Sequence, residues 1–508
     1  MDRLFYFINP IFADNLELQM NFSYLDLIIV IVYLGGVTTY GIIKGGKQKS
    51  ARDYFVSDKA IPWWAVCFAI VATETSALTF ISVPGVAYVG NLNFLQIAIG
   101  YILGRIVVSW FMLPKYYEGE LLTAYAYLGK RFGAKTKNTA STVFMVTRVF
   151  ADGVRLYATA IPLALLLKGW NLFPTAPDWQ IYTYSIIIIA IITLAYTYLG
   201  GVRAVIWTDV IQMFIYIGGG ILAVYVLSGK MTMGFGEAIS QLGAQGKLNF
   251  FDFSFDFTKP YTILASVIGG GFLSMASHGT DQLIVQRLLT TDSLKSSQKA
   301  LITSGFIVFL QFALFLFVGS LLFIFFNGEV MKSDEVFPKF IINYMPSGIS
   351  GIIIAGLLAA AMSTLSGSIS ALSSTLVEDI YKPYFGKGKT DVQLLKVSKV
   401  VALLWCGVLV MSAFLFMNSS QSVVVLGLSI ASFTYGGLLG TFLLGVFFKR
   451  ISQVPAIFGF LCGITGMIFI IYFTKIAWTW YTLIGVIITI IMANLISMFV
   501  KNKESSES

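Results

Sequence analysis

Long apolar runs separated by short polar stretches follow one another along almost the whole chain. Thirteen of these runs are close to the roughly 20 residues that a helix needs to cross the hydrocarbon core of a bilayer. They cover residues 25–43, 61–85, 94–114, 139–168, 181–199, 205–228, 261–285, 301–326, 349–377, 397–417, 423–448, 455–474 and 480–500. The pattern predicts an all-α integral membrane protein in which residues 25–500 form a single transmembrane domain.

Composition supports this class. Apolar residues make up 57% of the chain, charged residues 12%, and the mean hydropathy is +0.81, which is outside the range of soluble domains. Cys67, Cys406 and Cys462 all lie in apolar runs, so we expect no disulfide framework. The first 20 residues lack a long apolar core, so we expect no cleaved signal peptide. Phosphate-binding, zinc-protease and serine-hydrolase motifs are missing from the sequence, so we expect no enzyme.

The net charge of +9 is unevenly distributed. Lys and Arg concentrate in alternate loops, which by the positive-inside rule are cytoplasmic. The basic residues of those loops include Lys44, Lys47, Lys49, Arg52, Lys59, Lys115, Lys130, Arg131, Lys135, Lys137, Arg287, Lys295, Lys299, Lys382, Lys387, Lys389, Lys396, Lys449 and Arg450. We therefore predict an inner-membrane protein with an external N-terminus (1–24) and a cytoplasmic tail (501–508). The positive charge then reflects topology, and no nucleic-acid partner is expected.

One predicted helix carries a stripe of small hydroxyl side chains at membrane depth. Ser363, Ser366, Ser370 and Ser373 share one face at helical spacing. Oxygen ligands suit hard cations, and polar groups inside a membrane usually face a partner or a pathway. The alternative is close helix packing through small residues, with each hydroxyl bonded to its own backbone.

Two predicted spans contain stretches that form helix poorly. Residues 72–76 place polar and β-branched side chains in the second span, and residues 269–281 place three glycines and several hydroxyls in the seventh. The two spans are five apart and run in opposite directions. This arrangement indicates an inverted repeat (61–228 and 261–448) whose broken helices free backbone carbonyls for ions. The alternative is a pair of kinked but intact helices.

Several charged residues fall inside predicted spans. Asp209 would hold a cation together with the serine stripe, form a salt bridge with Arg203, or lie at a solvated helix start. Glu74 would contact substrate, carry a proton, or cap the second half of a broken helix. Asp152 and Arg155, three residues apart, would neutralise each other. An anchor for an anionic substrate is the alternative role of Arg155.

Two other features have less specific interpretations. His278, the single histidine, is expected to be a hydrogen-bonding helix residue, and one histidine with three scattered cysteines does not make a zinc site. The loop 229–260 is long enough to form a lid or a surface helix, or it is a passive connector.

The motifs together resemble the sodium:solute symporter family, which contains the sodium/glucose, sodium/proline and bacterial sialic-acid symporters. The resemblance rests on YLGGVRAVIWTDVIQ (198–212), DQLIVQR (281–287) and AAMSTLSGSISALSS (360–374). It implies a LeuT-like 5+5 inverted repeat with one extra N-terminal and two extra C-terminal helices, about thirteen in all. The second to eleventh spans would then be core helices 1–10.

The resemblance also implies a sodium site. Its ligands would be the backbone carbonyls of Ala72 and Thr75 in core helix 1, with the carbonyl of Ala360 and the hydroxyls of Ser363 and Thr364 in core helix 8.

A second sodium site, found in some members, would use Asp209, Ser363 and Ser366. The next ligand position of that site is often serine or threonine, but it is Gly367 in this chain. We therefore expect one sodium ion.

The substrate contacts implied by the resemblance are Glu74, Thr79, Ser274 and Ser277. The sugar-transporting members carry a glutamine at the position of Thr79, an asparagine at that of Ser274 and a tyrosine at that of Ser277. Specificity for glucose or galactose therefore does not follow from the resemblance. Sugar, sugar acid, monocarboxylate and vitamin all remain open.

The sequence thus predicts a sodium-coupled secondary active symporter that imports a small polar organic solute by alternating access and works as a monomer in the lipid bilayer. The alternatives are a proton-coupled carrier, in which Glu74 or Asp209 titrates, and a non-transporting membrane sensor. A channel is least favoured because no repeated filter is visible.

Overall fold

The structure is a computed structural model that describes residues 23–57, 61–75, 77–118, 121–169, 172–417 and 423–500. Nearly all of the predicted external N-terminus and the whole of the predicted cytoplasmic tail therefore lie outside the described residues. The described part is built from helices, and none of its residues lies in a β-strand.

The helices are α1 (Tyr24–Gly45), α2 (Ala51–Val56), α3 (Trp63–Glu74), α4 (Ala77–Val89), α5 (Gln96–Val107), α6 (Leu113–Tyr117), α7 (Ala124–Phe132), α8 (Ala134–Gly169), α9 (Asp178–Lys230), α10 (Phe235–Ala244), α11 (Gly270–Gly279), α12 (Gln282–Leu288), α13 (Leu294–Phe325), α14 (Ser333–Tyr344), α15 (Ile349–Ser374), α16 (Lys382–Phe385), α17 (Asp391–Phe416), α18 (Val423–Phe447), α19 (Gln453–Phe473) and α20 (Tyr481–Phe499). Short 3₁₀ or π segments precede or continue five of them, at Asn93–Leu95, Val108–Met112, Ala265–Gly269, Thr375–Tyr381 and Trp478–Trp480.

Helices lie at all thirteen predicted positions, but fewer qualify as spans by length and hydropathy. Within the described ranges eight helices qualify, and the bent pair α3–α4 makes a ninth. The fifth and sixth predicted spans are the two helical halves of α9, which meet at a kink at Gly201, where φ is 60° and ψ is −159° and the backbone is not helical. A count of thirteen therefore stays a prediction.

Both predicted weak points are breaks. Helix α3 ends at Glu74, Thr75 is extended with a ψ of 96°, and the axes before and after the break differ by 63°. In the seventh span α11 ends at Gly279, and α12 starts after Asp281, whose carboxylate accepts the amide of Leu283 at 2.9 Å. The alternative of kinked but intact helices is therefore wrong for both spans.

Helix α15 forms the centre of the bundle. Of its 26 residues, all except Ile349 and Ile352 are buried, and it packs against α1, α3, α8, α9 and α17. Small side chains allow this, because glycine, alanine and serine let helix backbones approach closely. At Gly356, for example, an added Cβ would be 3.1 Å from the Cα of Tyr216.

The outer surface is apolar, as a bilayer requires. Exposed apolar side chains on the peripheral helices include Ile31, Leu404, Phe469, Ile487 and Met498. Residues 229–260 contain a surface helix, α10, that buries Ala238 and Leu242 and packs on α13. Of the three interpretations of this loop, the surface helix is confirmed.

Candidate sodium and solute site

The hydroxyl residues predicted to bind sodium lie in the buried middle of α15. The Thr364 hydroxyl donates to the carbonyl of Ala360 at 3.1 Å. The Ser363 hydroxyl is buried, lies beside the Asp209 carboxylate and has no other hydrogen-bond partner among the described residues. This oxygen therefore depends on Asp209 or on a ligand for its polar contact.

The other predicted ligands lie where α3 ends. A helix leaves its last four carbonyls without intrahelical partners, and Ala72 belongs to that last turn. Gln311 donates to the hydroxyl of Thr75 at 2.6 Å, and this hydroxyl donates to the Val71 carbonyl at 2.9 Å. The side chain of Thr75 is therefore fixed by protein contacts.

Helices α3 and α15 meet at this level of the bundle. They pack against each other, and both reach the carboxylate of Asp209 on α9. The Thr73 hydroxyl lies 3.5 Å from Asp209 Oδ2, and Ser363 lies beside the same carboxylate. The end of the broken helix and the hydroxyl face of α15 are thus neighbours.

Asp209 is completely buried and paired with Arg287 of α12. Its Oδ2 accepts from Arg287 Nη2 at 2.9 Å and from Nε at 3.3 Å. Two predictions are wrong here, because Arg203 is exposed and not the partner, and a buried Asp209 is not at a solvated helix start. The placement of Arg287 in a cytoplasmic loop is also wrong, since this side chain is only 1% exposed inside α12.

The serine stripe shows the packing role at one position and a contact to another helix at a second, and its role as a cation ligand stays a prediction. Ser366 donates to the backbone carbonyl of Ser363 at 3.0 Å, which is the packing interpretation. Ser370 accepts from the amide of Gln286 at 2.9 Å and so joins α15 to α12. Ser373 has no hydrogen-bond partner in the described part of the chain.

Glu74 is part of a buried charged cluster at the break between α3 and α4. Its carboxylate accepts a hydrogen bond from Arg105 of α5, which is 0% exposed. Arg105 also donates to the hydroxyl of Ser304 at 2.7 Å. The Nε2 of His278 lies 3.5 Å from the same carboxylate oxygen. Glu74 itself is 17% exposed, so one side of the cluster is open.

Two predicted substrate residues adjoin this cluster on α11. The Ser277 hydroxyl lies 2.8 Å from His278 Nδ1, and the Ser274 hydroxyl donates to the carbonyl of Tyr101 at 3.0 Å. Thr79 lies on α4, five residues beyond Glu74, and is half-buried. The structure thus brings together Glu74, Ser274 and Ser277 through His278.

A second buried network connects α8, α12 and α18. Asp152 pairs with Arg155 at 3.3 Å, as predicted, and also with Arg148 at 2.7 Å. Arg148 reaches Asp281 at 3.0 Å, and Tyr435 donates to the same carboxylate at 2.8 Å. Both arginines therefore have carboxylate partners, which fixes the start of α12.

A model of the sodium:solute symporter family matches residues 54–463, which is most of the chain. The chain belongs to the sodium:solute symporter family. It is 30% identical over 501 residues to the sodium/sialic acid symporter NanT of Aliivibrio fischeri, which covers 96% of this chain and 95% of NanT.

Solved structures agree with the family. A sodium-coupled sialic acid symporter, solved in a substrate-bound outward-open state, matches with a TM-score of 0.84 at 28% identity over 94% of this chain and 99% of that one. MhsT in complex with L-phenylalanine matches with a TM-score of 0.52 at 15% identity over 87% of this chain and 99% of MhsT, which shows the fold alone. The LeuT-like fold is confirmed, and this symporter, like its relatives, is a sodium-coupled transporter.

The sequence did not predict the ion pairs that three buried arginines of this symporter form. Arg105 holds Glu74, Arg148 holds Asp281, and Arg287 holds Asp209. For Arg105 and Arg148 the sequence did contain a signal. Each is an arginine inside a predicted span, and a charge at membrane depth requires a partner.

Proposed function

We propose that this symporter imports a small polar organic solute together with one sodium ion, by alternating access. The observation that carries the proposal is the meeting of the broken end of α3 with the hydroxyl face of α15. The proposed ligands are the carbonyls of Ala72, Thr75 and Ala360 and the hydroxyls of Ser363 and Thr364. Carbonyl and hydroxyl oxygens suit a hard cation such as sodium.

The limit of one ion is supported by Arg287. A Cβ at Gly367 would be 2.7 Å from its Nη2 and 3.0 Å from its Nη1, so the guanidinium fills the space of a side chain there. The same guanidinium neutralises Asp209. A second sodium ion at Asp209 would therefore leave one uncompensated positive charge at membrane depth.

The proposed solute pocket lies beside the ion site, at the open side of the Glu74 cluster. Glu74, Thr79, Ser274 and Ser277 would line it. The carboxylate of Glu74 is fixed between Arg105 and His278, and the hydroxyls beside it suit a solute rich in hydroxyl or amide groups.

The proposed mechanism couples ion and solute through the break in α3. Sodium would hold this broken end against α15 and so preorganise the pocket, after which one inverted repeat rocks against the other. A positive charge crossing 100 mV contributes about 2.3 kcal/mol and a tenfold sodium gradient about 1.4 kcal/mol. One ion then supports roughly 500-fold accumulation of a neutral solute.

The remaining parts of the proposal concern topology. The Lys and Arg distribution supports an inner-membrane protein with its N-terminus outside and its C-terminus inside. The repeats would be 61–228 and 261–448, and the functional unit a monomer.

Sodium binding to the purified protein tests the proposal. Ser363→Ala should raise the half-saturating concentration of ²²Na⁺ about 10- to 100-fold, because a polar contact to a charge contributes about 1.5–3 kcal/mol. Ser368→Ala is the matched control, since its hydroxyl is equally buried but donates to the Thr364 carbonyl at 2.9 Å. Equal effects of the two substitutions would contradict the proposed site.

The solute is found by thermal-shift screening of polar metabolites in sodium and in potassium. A ligand at 100 times its Kd stabilises the protein by about 2.7 kcal/mol, and the solute should do so only with sodium. Uptake of that solute in proteoliposomes then separates the alternatives. Full uptake driven by a proton gradient without sodium would favour proton coupling, and binding without uptake would favour a sensor.

A further inference from the structure

A non-helical segment on the loop between α10 and α11 carries an unusual alternation. In this segment, residues 251–257 and hereafter the aromatic strap, every second side chain is an exposed phenylalanine and those between are half-buried polar groups. The exposed fractions are 50% for Phe251, 76% for Phe253, 75% for Phe255 and 49% for Phe257. In a soluble protein an extended segment over a core places apolar side chains inward and polar ones outward. The strap shows the reverse.

The strap is held against the protein by its backbone. Ile263 N–H donates to the Asp252 carbonyl at 2.7 Å, and Ala477 N–H donates to the Phe257 carbonyl at 2.8 Å. Just before it the Asn249 carbonyl accepts from Leu92 N–H at 3.1 Å. Contacts near both ends fix which side of the strap faces outward, so the phenylalanine ridge is a feature of the folded protein.

One end of the ridge contacts the segment that leads into α20. The ring of Phe257 lies 5.3 Å from that of Trp480, the last residue before α20, and the ring of Tyr261 lies 6.5 Å from that of Trp478. Tryptophan and tyrosine are enriched where membrane spans meet the headgroup region. The outer face of α20 bears exposed apolar residues such as Ile487.

The polar residues of the strap limit its depth. Asp256 accepts from the hydroxyl of Thr258 at 2.7 Å and from its amide at 2.8 Å, and these hydrogen bonds lower the pKa of the carboxyl. A charged carboxylate avoids hydrocarbon, whereas phenylalanine rings on the next positions favour an apolar medium. The combination fits the boundary between headgroups and acyl chains.

We propose that the aromatic strap is a membrane-surface anchor whose phenylalanine ridge inserts into the headgroup region beside α20. By the Lys and Arg distribution this is the outer leaflet. The inference is independent of the ion and of the solute.

Spin-label accessibility in vesicles tests the anchor. Phe253→Cys and Phe255→Cys are made on a Cys462→Ser background, in which the remaining thiols, Cys67 and Cys406, are buried. The labelled protein is placed in phosphatidylcholine–phosphatidylglycerol vesicles. Both labels should relax faster with oxygen, which partitions into lipid, than with a water-soluble nickel chelate.

The matched control is Glu237→Cys on α10, an exposed position on the same loop that should show the opposite preference. Phe253→Trp gives a second reading, because an inserted indole should be quenched by lipids brominated near the headgroups. Labels at 253 and 255 with the water accessibility of position 237 would overturn the proposal. That result would indicate a ridge awaiting a protein partner.

Discussion

The pair formed by Glu74 and Arg105 gives the sharpest stability prediction. Arg105 is 0% exposed. Besides its ion pair with Glu74, its guanidinium donates to the hydroxyl of Ser304 at 2.7 Å. Glu74→Gln would leave this guanidinium buried without a counter-charge, which costs about 3–5 kcal/mol. The double variant Glu74→Gln/Arg105→Gln removes both charges and should recover most of that loss.

The expected shift is measurable by thermal unfolding in lipid nanodiscs. At roughly 2.1 cal/mol/K of unfolding entropy per residue, a chain of 508 residues loses about 1 °C per kcal/mol. Glu74→Gln should therefore lower the apparent Tm by about 3–5 °C. Glu118→Gln is the control, because it breaks an exposed pair with Lys115 at 2.8 Å whose value is under about 1 kcal/mol.

Two outcomes would refute the reasoning. One is a Glu74→Gln protein that melts within about 1 °C of the parent, like the Glu118→Gln control. The other is a double variant that melts lower than the single one, because the two charges would then not depend on each other. Sodium binding by the double variant separates a stability role from a role at the ion site.

Two further predictions concern glycines. Gly367→Ala should push the Arg287 guanidinium away and destabilise the fold by about 1–3 kcal/mol. Gly407→Ala is the control, because a Cβ at Gly407 would have no heavy atom of another residue within 4 Å, and this substitution should be neutral or slightly stabilising. A stable Gly367→Ala protein would show that the guanidinium is not fixed there. Gly201→Ala forces a φ of 60° on alanine and should cost about 1–3 kcal/mol by thermal unfolding, while Gly218→Ala in the same helix should gain up to about 1 kcal/mol. Similar melting temperatures for these two variants would contradict the strain at Gly201.

Local features of the site were readable from the sequence, and long-range partners were not. The stretch around Glu74 and Thr75 carries its own helix-breaking chemistry, so the break was predictable, and so was the face shared by Ser363 and Ser366. The partner of Asp209 lies 78 residues away on α12. Nearby spacing offered Arg203 as a partner, as one of the three alternatives for Asp209. Only the folded structure, in which the long side chain of Arg287 on α12 reaches Asp209 on α9, reveals the true pair.

The assignment of basic residues to cytoplasmic loops was wrong for Arg287 for a related reason. Arg287 was assigned to a cytoplasmic loop because it follows an apolar run, yet it is enclosed by Asp209, Gly367 and the Leu283 carbonyl, which accepts its Nη1 at 2.8 Å. The burial of Arg287 depends on tertiary contacts that override the local pattern.

The near-complete enclosure of α15 has a consequence for biogenesis. A helix with almost no lipid-facing side chains gains little from sitting alone in the bilayer, and its hydroxyl face would be poorly solvated there. Four of its neighbours, α1, α3, α8 and α9, precede it in the chain and leave the ribosome first, whereas α17 follows it. Helix α15 therefore emerges when most of the helices that enclose it have been made, and α17 completes the enclosure afterwards.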